Sequence, residues 1–362
     1  MKIGIVGLPY VGKTSLFNAL TQSEAETGTY AAKKGANVGS VKVPDERLMA
    51  LADVFNPKRV TPTSIDYVDI AGVSKGDIAL EGLETGAIAE LREVDALAHV
   101  VRVFEDDAVP HVDGEIDPKR DIETIDIELA FADLGIIDNR LDRLNRELRT
   151  QKIPALEHER AVLEQCKDAL EGGTAIRELP LAPEDERAIR GYGFLTQKPL
   201  LLVLNIGEDA LEAADEIHGS FAEYTEKGQI EIIALSARLE MEIGRLDMDD
   251  AELFRVEMGL DDSALARVID VSYRTLGLVT FFTVVSDELR AWTLKAGMTA
   301  LDAAAAIHTD MAQGFIRAET IQWADLVDCQ GLTEARDSGS LRLEGKDYLV
   351  SEGDVLTIRF NL

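Results

Sequence analysis

With 67 acidic against 37 basic side chains and a formal charge of -30, the 362-residue chain is ordinary in apolar content but strongly anionic. Such a surface repels nucleic acid in general, which argues against non-specific DNA binding and leaves any RNA contact to a local patch; solubility or a salty cytoplasm accounts for the charge. No apolar run of about 18 residues occurs, no charged and then apolar leader precedes the first strand, and Cys166 and Cys329 stand far apart in no metal-ligand spacing, so a reduced, cytoplasmic protein that neither spans a membrane nor is secreted is expected.

The length predicts two or three domains. The first begins with the apolar run Lys2-Ile3-Gly4-Ile5-Val6, the turn Gly7-Leu8-Pro9-Tyr10-Val11-Gly12-Lys13-Thr14 and the amphipathic continuation Ser15-Leu16-Phe17-Asn18-Ala19-Leu20. Strand, loop and helix in that order are the setting in which G-x-x-x-x-G-K-[ST] marks a phosphate site. Gly7 and Gly12 let the backbone turn its N–H groups inward around the phosphates, Lys13 reaches the β and γ oxygens, and the Thr14 hydroxyl is a Mg²⁺ ligand at the helix N-terminus. The candidate nucleotide-binding residues here are therefore Gly7, Tyr10, Val11, Gly12, Lys13, Thr14 and Ser15.

Residues 22–40 are poor in large apolar side chains and hold Gly28, Gly35 and Gly39, predicting a loop where nucleotide switches sense the γ-phosphate. Strands follow at residues 40–43 and 64–70, and the second closes in Asp69-Ile70-Ala71-Gly72. About 55 residues after a P-loop, such an aspartate is a Mg²⁺-water ligand candidate, and the glycine is positioned to donate its N–H to a γ-phosphate. Asp95 to Phe104 reads as a buried strand behind an acidic helix, giving β-α-β units and a mostly parallel sheet.

From about residue 122 the pattern changes to long helix. Leu134, Ile137, Leu141, Leu144 and Leu148 step by three and four, and Leu156, Leu163 and Leu170 form a second seam after Pro154, predicting an antiparallel helical hairpin. Arg140, Arg143, Arg146, Arg149 and Lys152 line one arm; paired with Asp142 and Glu147 they make a solvated face, and unpaired they would form an RNA-facing stripe. The parallel-sheet pattern then resumes in Lys198 to Leu204, ending in Asn205-Ile206-Gly207-Glu208, and in Ile230 to Leu235, ending in Ser236-Ala237-Arg238. Ligands of open α/β sheets sit at the carboxyl ends of strands, so both endings point at a base. Apolar stretches at 279–284, 315–321 and 354–360 with a helix at 300–307 predict a small mixed sheet gripping one helix. The expected division is a nucleotide domain at 1–120 and 199–276, a helical insertion at 121–198 and a C-terminal module at 277–362.

Taken together, GLPYVGKT, DIAG and NIGE, with SARLEMEI after them, closely resemble the YchF or Obg-like ATPase family, a branch of the translation-factor-class P-loop NTPases. The resemblance covers essentially the whole chain, including YGFLTQKPLLLVLN and a C-terminal stretch carrying RAWT, AIHTDMAQGFIRAE and LRLEGKDYLVSEGD. It implies an α/β P-loop NTPase domain with a mostly parallel sheet, an inserted antiparallel coiled-coil hairpin and a C-terminal α+β TGS (β-grasp) domain. It also implies that Asn205, Ile206 and Glu208 contact the base, flanked by Ser236, Ala237 and Arg238. A guanine-specific site uses N-K-x-D, whose aspartate accepts two hydrogen bonds from the base; Asn205-x-x-Glu208 loses that geometry, so ATP is expected to be favoured over GTP.

Val73 stands where Ras-like enzymes carry the glutamine that orients the attacking water, so hydrolysis is expected to be slow or to use another group. His111 aligns with a family histidine implicated in hydrolysis and is the catalytic candidate. Tyr10 replaces the family's usual asparagine. In Tyr30 to Gly39 no hydroxyl aligns with the family's Mg²⁺-ligating threonine; Thr27 or Thr29 could substitute, Lys33 and Lys34 could meet the γ-phosphate, and an extra water on Mg²⁺, which that ion tolerates, is the first expectation. The resemblance thus implies a cytoplasmic, Mg²⁺-dependent, slow ATPase, monomeric and associated with the ribosome in translation or stress. A GTP-specific GTPase and a nucleotide-gated scaffold with negligible hydrolysis are the alternatives.

Overall fold

The computed structural model describes residues 1–22, 37–70, 87–151, 153–258, 264–285 and 287–361. In chain order, strand β1 (Lys2–Val6) leads into helix α1 (Lys13–Thr21), and β2 (Asn37–Lys42) is followed by α2 (Glu46–Phe55), the short β3 (Arg59–Thr61) and β4 (Ser64–Asp69). After α3 (Ala87–Arg92) comes β5 (Ala96–Arg102), buried at every position, then the long helices α4 (Pro118–Thr150) and α5 (Pro154–Glu171). β6 (Leu200–Asn205) and β7 (Ile230–Leu235) complete one six-stranded sheet of order β2-β4-β1-β5-β6-β7. β1 pairs in parallel with β4 and β5, β5 with β6, and β6 with β7. Strands buried on both faces read as continuous apolar runs, as in Leu200-Leu201-Leu202-Val203-Leu204. Parallel registration brings the carboxyl ends of β4, β1, β5, β6 and β7 to one edge, where ligands of such sheets bind.

The hairpin forms as the seams predict. Asp117 caps α4, its side chain accepting from Arg120 N at 3.2 Å, and Pro118 occupies the first turn, where its missing N–H costs nothing. Ile137, Leu141 and Leu144 bury against Val162, Leu163, Cys166 and Leu170, with Leu134 and Leu156 packed at the edge. Of the charged arm, Arg140 bonds Glu159 across the hairpin at 2.7 and 2.9 Å and Glu147 at 3.6 Å, while Arg146 donates to the Asp142 backbone carbonyl. The hairpin is tied to the sheet by Asp133, wholly buried, which accepts from Leu195 N, Thr196 N and Thr196 Oγ1 at 2.7–3.0 Å and from Arg92 Nη1 at 3.1 Å. It accordingly clusters with the sheet in one compact unit, Met1–Val41 with Asp66–Val271, which also holds α6 (Ala237–Ile243).

Helix α7 (Ala264–Thr275) precedes β8 (Leu278–Val285) and β9 (Glu288–Lys295), which pair antiparallel. Then follow α8 (Ala300–Ile307), β10 (Phe315–Gln322), β11 (Arg342–Glu344) and β12 (Asp354–Phe360), the last parallel to β8 and antiparallel to β10. Ala303 of α8 packs with Phe281, Leu294 and Leu356, the mixed sheet gripping one helix. This second unit is larger than the expected module, because Lys42–Ile65 clusters with Ser272–Leu362. β3 pairs in parallel with β9 and forms the edge of that sheet, and Leu48 and Leu51 of α2 bury against Phe282, Ile321 and Val355. Among the described residues no helix is long and apolar enough to cross a membrane.

Candidate functional site

The turn between β1 and α1 takes a shape that few side chains permit. Gly7 sits at φ +150°, Tyr10 at +65° and Gly12 at +100°; a Cβ on Gly7 would lie 2.4 Å from the Val100 carbonyl oxygen, and one on Gly12 2.3 Å from Asn205 Nδ2. Glycine relieves both the backbone strain and the close approach. Lys13, 8 % exposed, donates from Nζ to Gly7 O at 2.9 Å and Leu8 O at 2.7 Å. Burial pulls its pKa down to about 8, partly offset by the Asp69 charge. The Thr14 hydroxyl donates to Asp69 Oδ2 at 3.0 Å. Asp69 is pushed above the usual carboxylate range by burial, opposed by Thr14, Lys13 and a hydrogen bond with Asn37. A hydroxyl and a carboxylate side by side at a helix N-terminus are hard oxygen donors of the kind that hold Mg²⁺ when phosphate and water complete the shell.

At the next strands, Asn205 ties two loops together. Its Nδ2 donates to Val11 O at 2.8 Å and its Oδ1 accepts from Ala237 N at 3.0 Å, both buried. One amide hydrogen is left for a ligand. Ser236 caps α6, its Oγ accepting from Leu239 N. Glu208 begins a 3-10 turn and faces Arg238, whose Nε lies 3.8 Å from Glu208 Oε1 and 3.3 Å from Glu242 Oε1. Tyr10, Gly12, Lys13, Thr14, Ser15, Asn205, Ile206, Glu208, Ser236 and Arg238 all border one cleft of about 680 Å³. Gly7, Val11, Ala237 and Asp69 act from behind it through backbone groups or Thr14.

Several expectations fall elsewhere. Gly72, Val73 and the stretch Thr27 to Lys34 lie outside the described residues. His111 does not border the cleft: its side chain, 3 % exposed, donates from Nε2 to Asp121 Oδ2 at 2.8 Å, and its Nδ1 accepts from Asp113 N at 3.2 Å. Both ring nitrogens are engaged, so in this geometry the residue fixes the start of α4 rather than facing a substrate. Three contributors escaped the sequence reading. Phe104 and Val109 wall the cleft, and Arg102, buried at the end of β5, shapes that wall by donating to the carbonyls of Phe104, Asp106 and Val109 at 3.0–3.3 Å. The signal was an arginine closing a strand that is apolar but for His99.

A glycine turn from a parallel strand into a helix, with its lysine, its hydroxyl and an aspartate from the neighbouring strand, defines a P-loop nucleotide-binding protein of the GTPase class. The 50S ribosome-binding GTPase family model matches residues 2–132, and the model for the C-terminal part of YchF GTPases, described as a protein of unknown function, matches residues 278–361. Curated relatives include the ribosome-binding ATPase YchF of Bacillus subtilis, 41% identical with 99% of each chain covered, and that of Haemophilus ducreyi, 43% identical over 100% of this chain and 99% of the relative. The solved structure of the Schizosaccharomyces pombe YchF GTPase is 28% identical, with a TM-score of 0.82 over 99% of this chain and 97% of that one. The chain belongs to the YchF family.

Proposed function

We propose that the protein is an ATPase of slow intrinsic turnover, Mg²⁺-dependent and selective for ATP over GTP, that works in the cytosol as a ribosome-associated regulator of translation. The observation that carries this reading is the meeting of Lys13, Thr14 and Asp69 with the Asn205 to Glu208 ending around one cleft. Relatives named as ribosome-binding ATPases support both the nucleotide and the partner. Lys13 would exchange the carbonyls of Gly7 and Leu8 for β and γ oxygens, and the amides of the loop to Ser15 would take the remaining phosphate charge. Thr14 and Asp69 would hold Mg²⁺, which when bound neutralises charge on the phosphates. Glu208 is one methylene longer than the aspartate of a guanine site and shares its carboxylate with Arg238. It therefore lacks the fixed pair of acceptors that guanine demands, and adenine is accepted.

The unprotonated nitrogen of His111, Nδ1, accepts from Asp113 N while Nε2 donates to Asp121, so the ring takes no proton from an attacking water unless Nδ1 leaves Asp113 N, which accords with slow turnover. The same observation favours a second reading, a nucleotide-gated scaffold that scarcely hydrolyses. Competition of ATP against GTP for a fluorescent nucleotide, followed by co-sedimentation with ribosomes, tests the main proposal; GTP displacing the probe as well as ATP would refute the base assignment. Single-turnover hydrolysis with and without ribosomes separates enzyme from scaffold. Lys13→Ala is expected to abolish ATP binding, and retained micromolar affinity in calorimetry would refute the phosphate site.

A further inference from the structure

Away from the nucleotide cleft, α4, the segment after α5 and the strands β6 and β7 enclose a second cavity of about 580 Å³, room enough for a small molecule. Its walls are largely apolar, with Leu134 and Leu170 from the hairpin and Leu200 and Leu202 from β6. At its border Ile127 and Phe131, one helical turn apart on α4, stand 53% and 58% exposed.

Two charges line this apolar space without meeting. Arg177 is 7% exposed; its Nε donates to Lys198 O at 2.9 Å, and its Nη2 is buried with no hydrogen-bond partner. Asp126 accepts no hydrogen bond and joins no ion pair among the described residues, although each group feels the other's charge. Burial drives the Asp126 carboxyl up and the Arg177 guanidinium down, each opposed in part by the other. Lys227, Glu171 and Glu178 also line the space.

A buried donor without a partner is costly, and a ligand that meets it while answering the part-exposed Asp126 carboxylate recovers that cost. A simple anion would satisfy Arg177 and be repelled by Asp126; a simple cation would do the reverse. The complementary molecule carries both signs a few bonds apart, with an apolar body for the aliphatic and aromatic wall.

We propose that this cavity binds the zwitterion of an apolar α-amino acid, its carboxylate on Arg177 Nη2, its ammonium on Asp126 and its side chain against Ile127, Phe131 and Leu134. The site is independent of the nucleotide assignment. It shares only β6 with it, since Leu200 and Leu202 stand in this wall and Asn205 borders the cleft.

Calorimetric titration of the full chain with L-phenylalanine and L-leucine, then with 3-phenylpropionate and phenethylamine, tests it. Saturable binding of at least one amino acid with Kd below about 1 mM is expected, weakened about tenfold or more when either charge of phenylalanine is deleted. Asp126→Asn and Phe131→Ala, one at the carboxylate and one at the exposed rim, should each weaken binding about tenfold while ATP binding, the check on folding, stays unchanged. Arg177→Met should do the same, but it also removes the bond to Lys198, so Asp126→Asn is the deciding variant. No saturation by about 10 mM of either amino acid, or equal binding of 3-phenylpropionate and phenylalanine, would overturn the proposal.

Discussion

Asn205 offers the sharpest test of how the cleft is held together. Asn205→Ala removes the donor to Val11 O and the acceptor from Ala237 N, leaving two buried backbone groups without partners. Each such group costs about 1–3 kcal/mol. Because the site borders the cleft and water can reach part of the gap, the lower half of the sum applies, about 2–4 kcal/mol, or a drop in Tm of about 4–16 °C. Asn205→Asp separates the two bonds. It keeps an acceptor for Ala237 N but sets a carboxylate oxygen against the Val11 carbonyl. Burial raises the pKa of such a carboxyl, so its penalty is complete above the folded-state pKa. The penalty vanishes once the group is protonated and can donate to Val11 O. The deficit of Asn205→Asp relative to the parent should therefore shrink as pH falls towards about 4, whereas that of Asn205→Ala should not. Urea unfolding at two pH values, with titration of a fluorescent ATP analogue, measures both. An Asn205→Ala chain within about 0.5 kcal/mol of the parent would refute the clamp, since surface-like substitutions fall in that range.

Lys13 predicts a pH dependence. Only the ammonium form bonds phosphate, and the free-protein pKa is near 8, so ATP affinity should be level below that pH and fall about tenfold per unit above it until the pKa of the complex is reached. Calorimetry in two buffers of different ionisation enthalpy should detect proton uptake on binding at alkaline pH, and a flat profile would refute the assignment. Gly7→Ala should be more damaging than Gly12→Ala, because the Cβ of the first meets a backbone carbonyl at 2.4 Å and that of the second a side chain; thermal melts and ATP titration rank them. His111→Ala should cost about 1–3 kcal/mol through the bond lost at Asp121 Oδ2, although Oδ1 keeps Arg120, read by urea unfolding. Unchanged stability with slowed single turnover and intact ATP affinity would return His111 to a catalytic role.

How much of this was legible in the residues depends on the range of the interaction that fixes each part. The phosphate turn was legible because its demands are local: Gly7 and Gly12 at positive φ, Lys13 next to them and an apolar strand before. Asp69 was legible at one remove, since a parallel sheet brings neighbouring strand ends together by topology alone. The hairpin seam was legible because a period of three and four is itself the packing rule, and Ile137, Leu141 and Leu144 are buried as their spacing requires. The placement of residues 42–65 was not, because three residues of β3 carry too little pattern to name the strand they pair with, and Leu48 and Leu51 announce an apolar helix face but not that Phe282 covers it. The surroundings of His111 were not legible for a related reason. Its alignment made it the catalytic candidate, and only the fold reveals that Asp121, ten residues on and one turn into α4, draws the ring inward. Asn205 shows the two ranges in one residue: its position at a strand end was visible, but its two bonds join Val11 and Ala237, so the group inferred to read the base also fixes the distance between phosphate loop and base loop. Under the proposed base assignment, substitutions at Asn205 should alter selectivity and cleft integrity together, whereas changes at Glu208, exposed and paired among the described residues with Arg238, should alter selectivity alone.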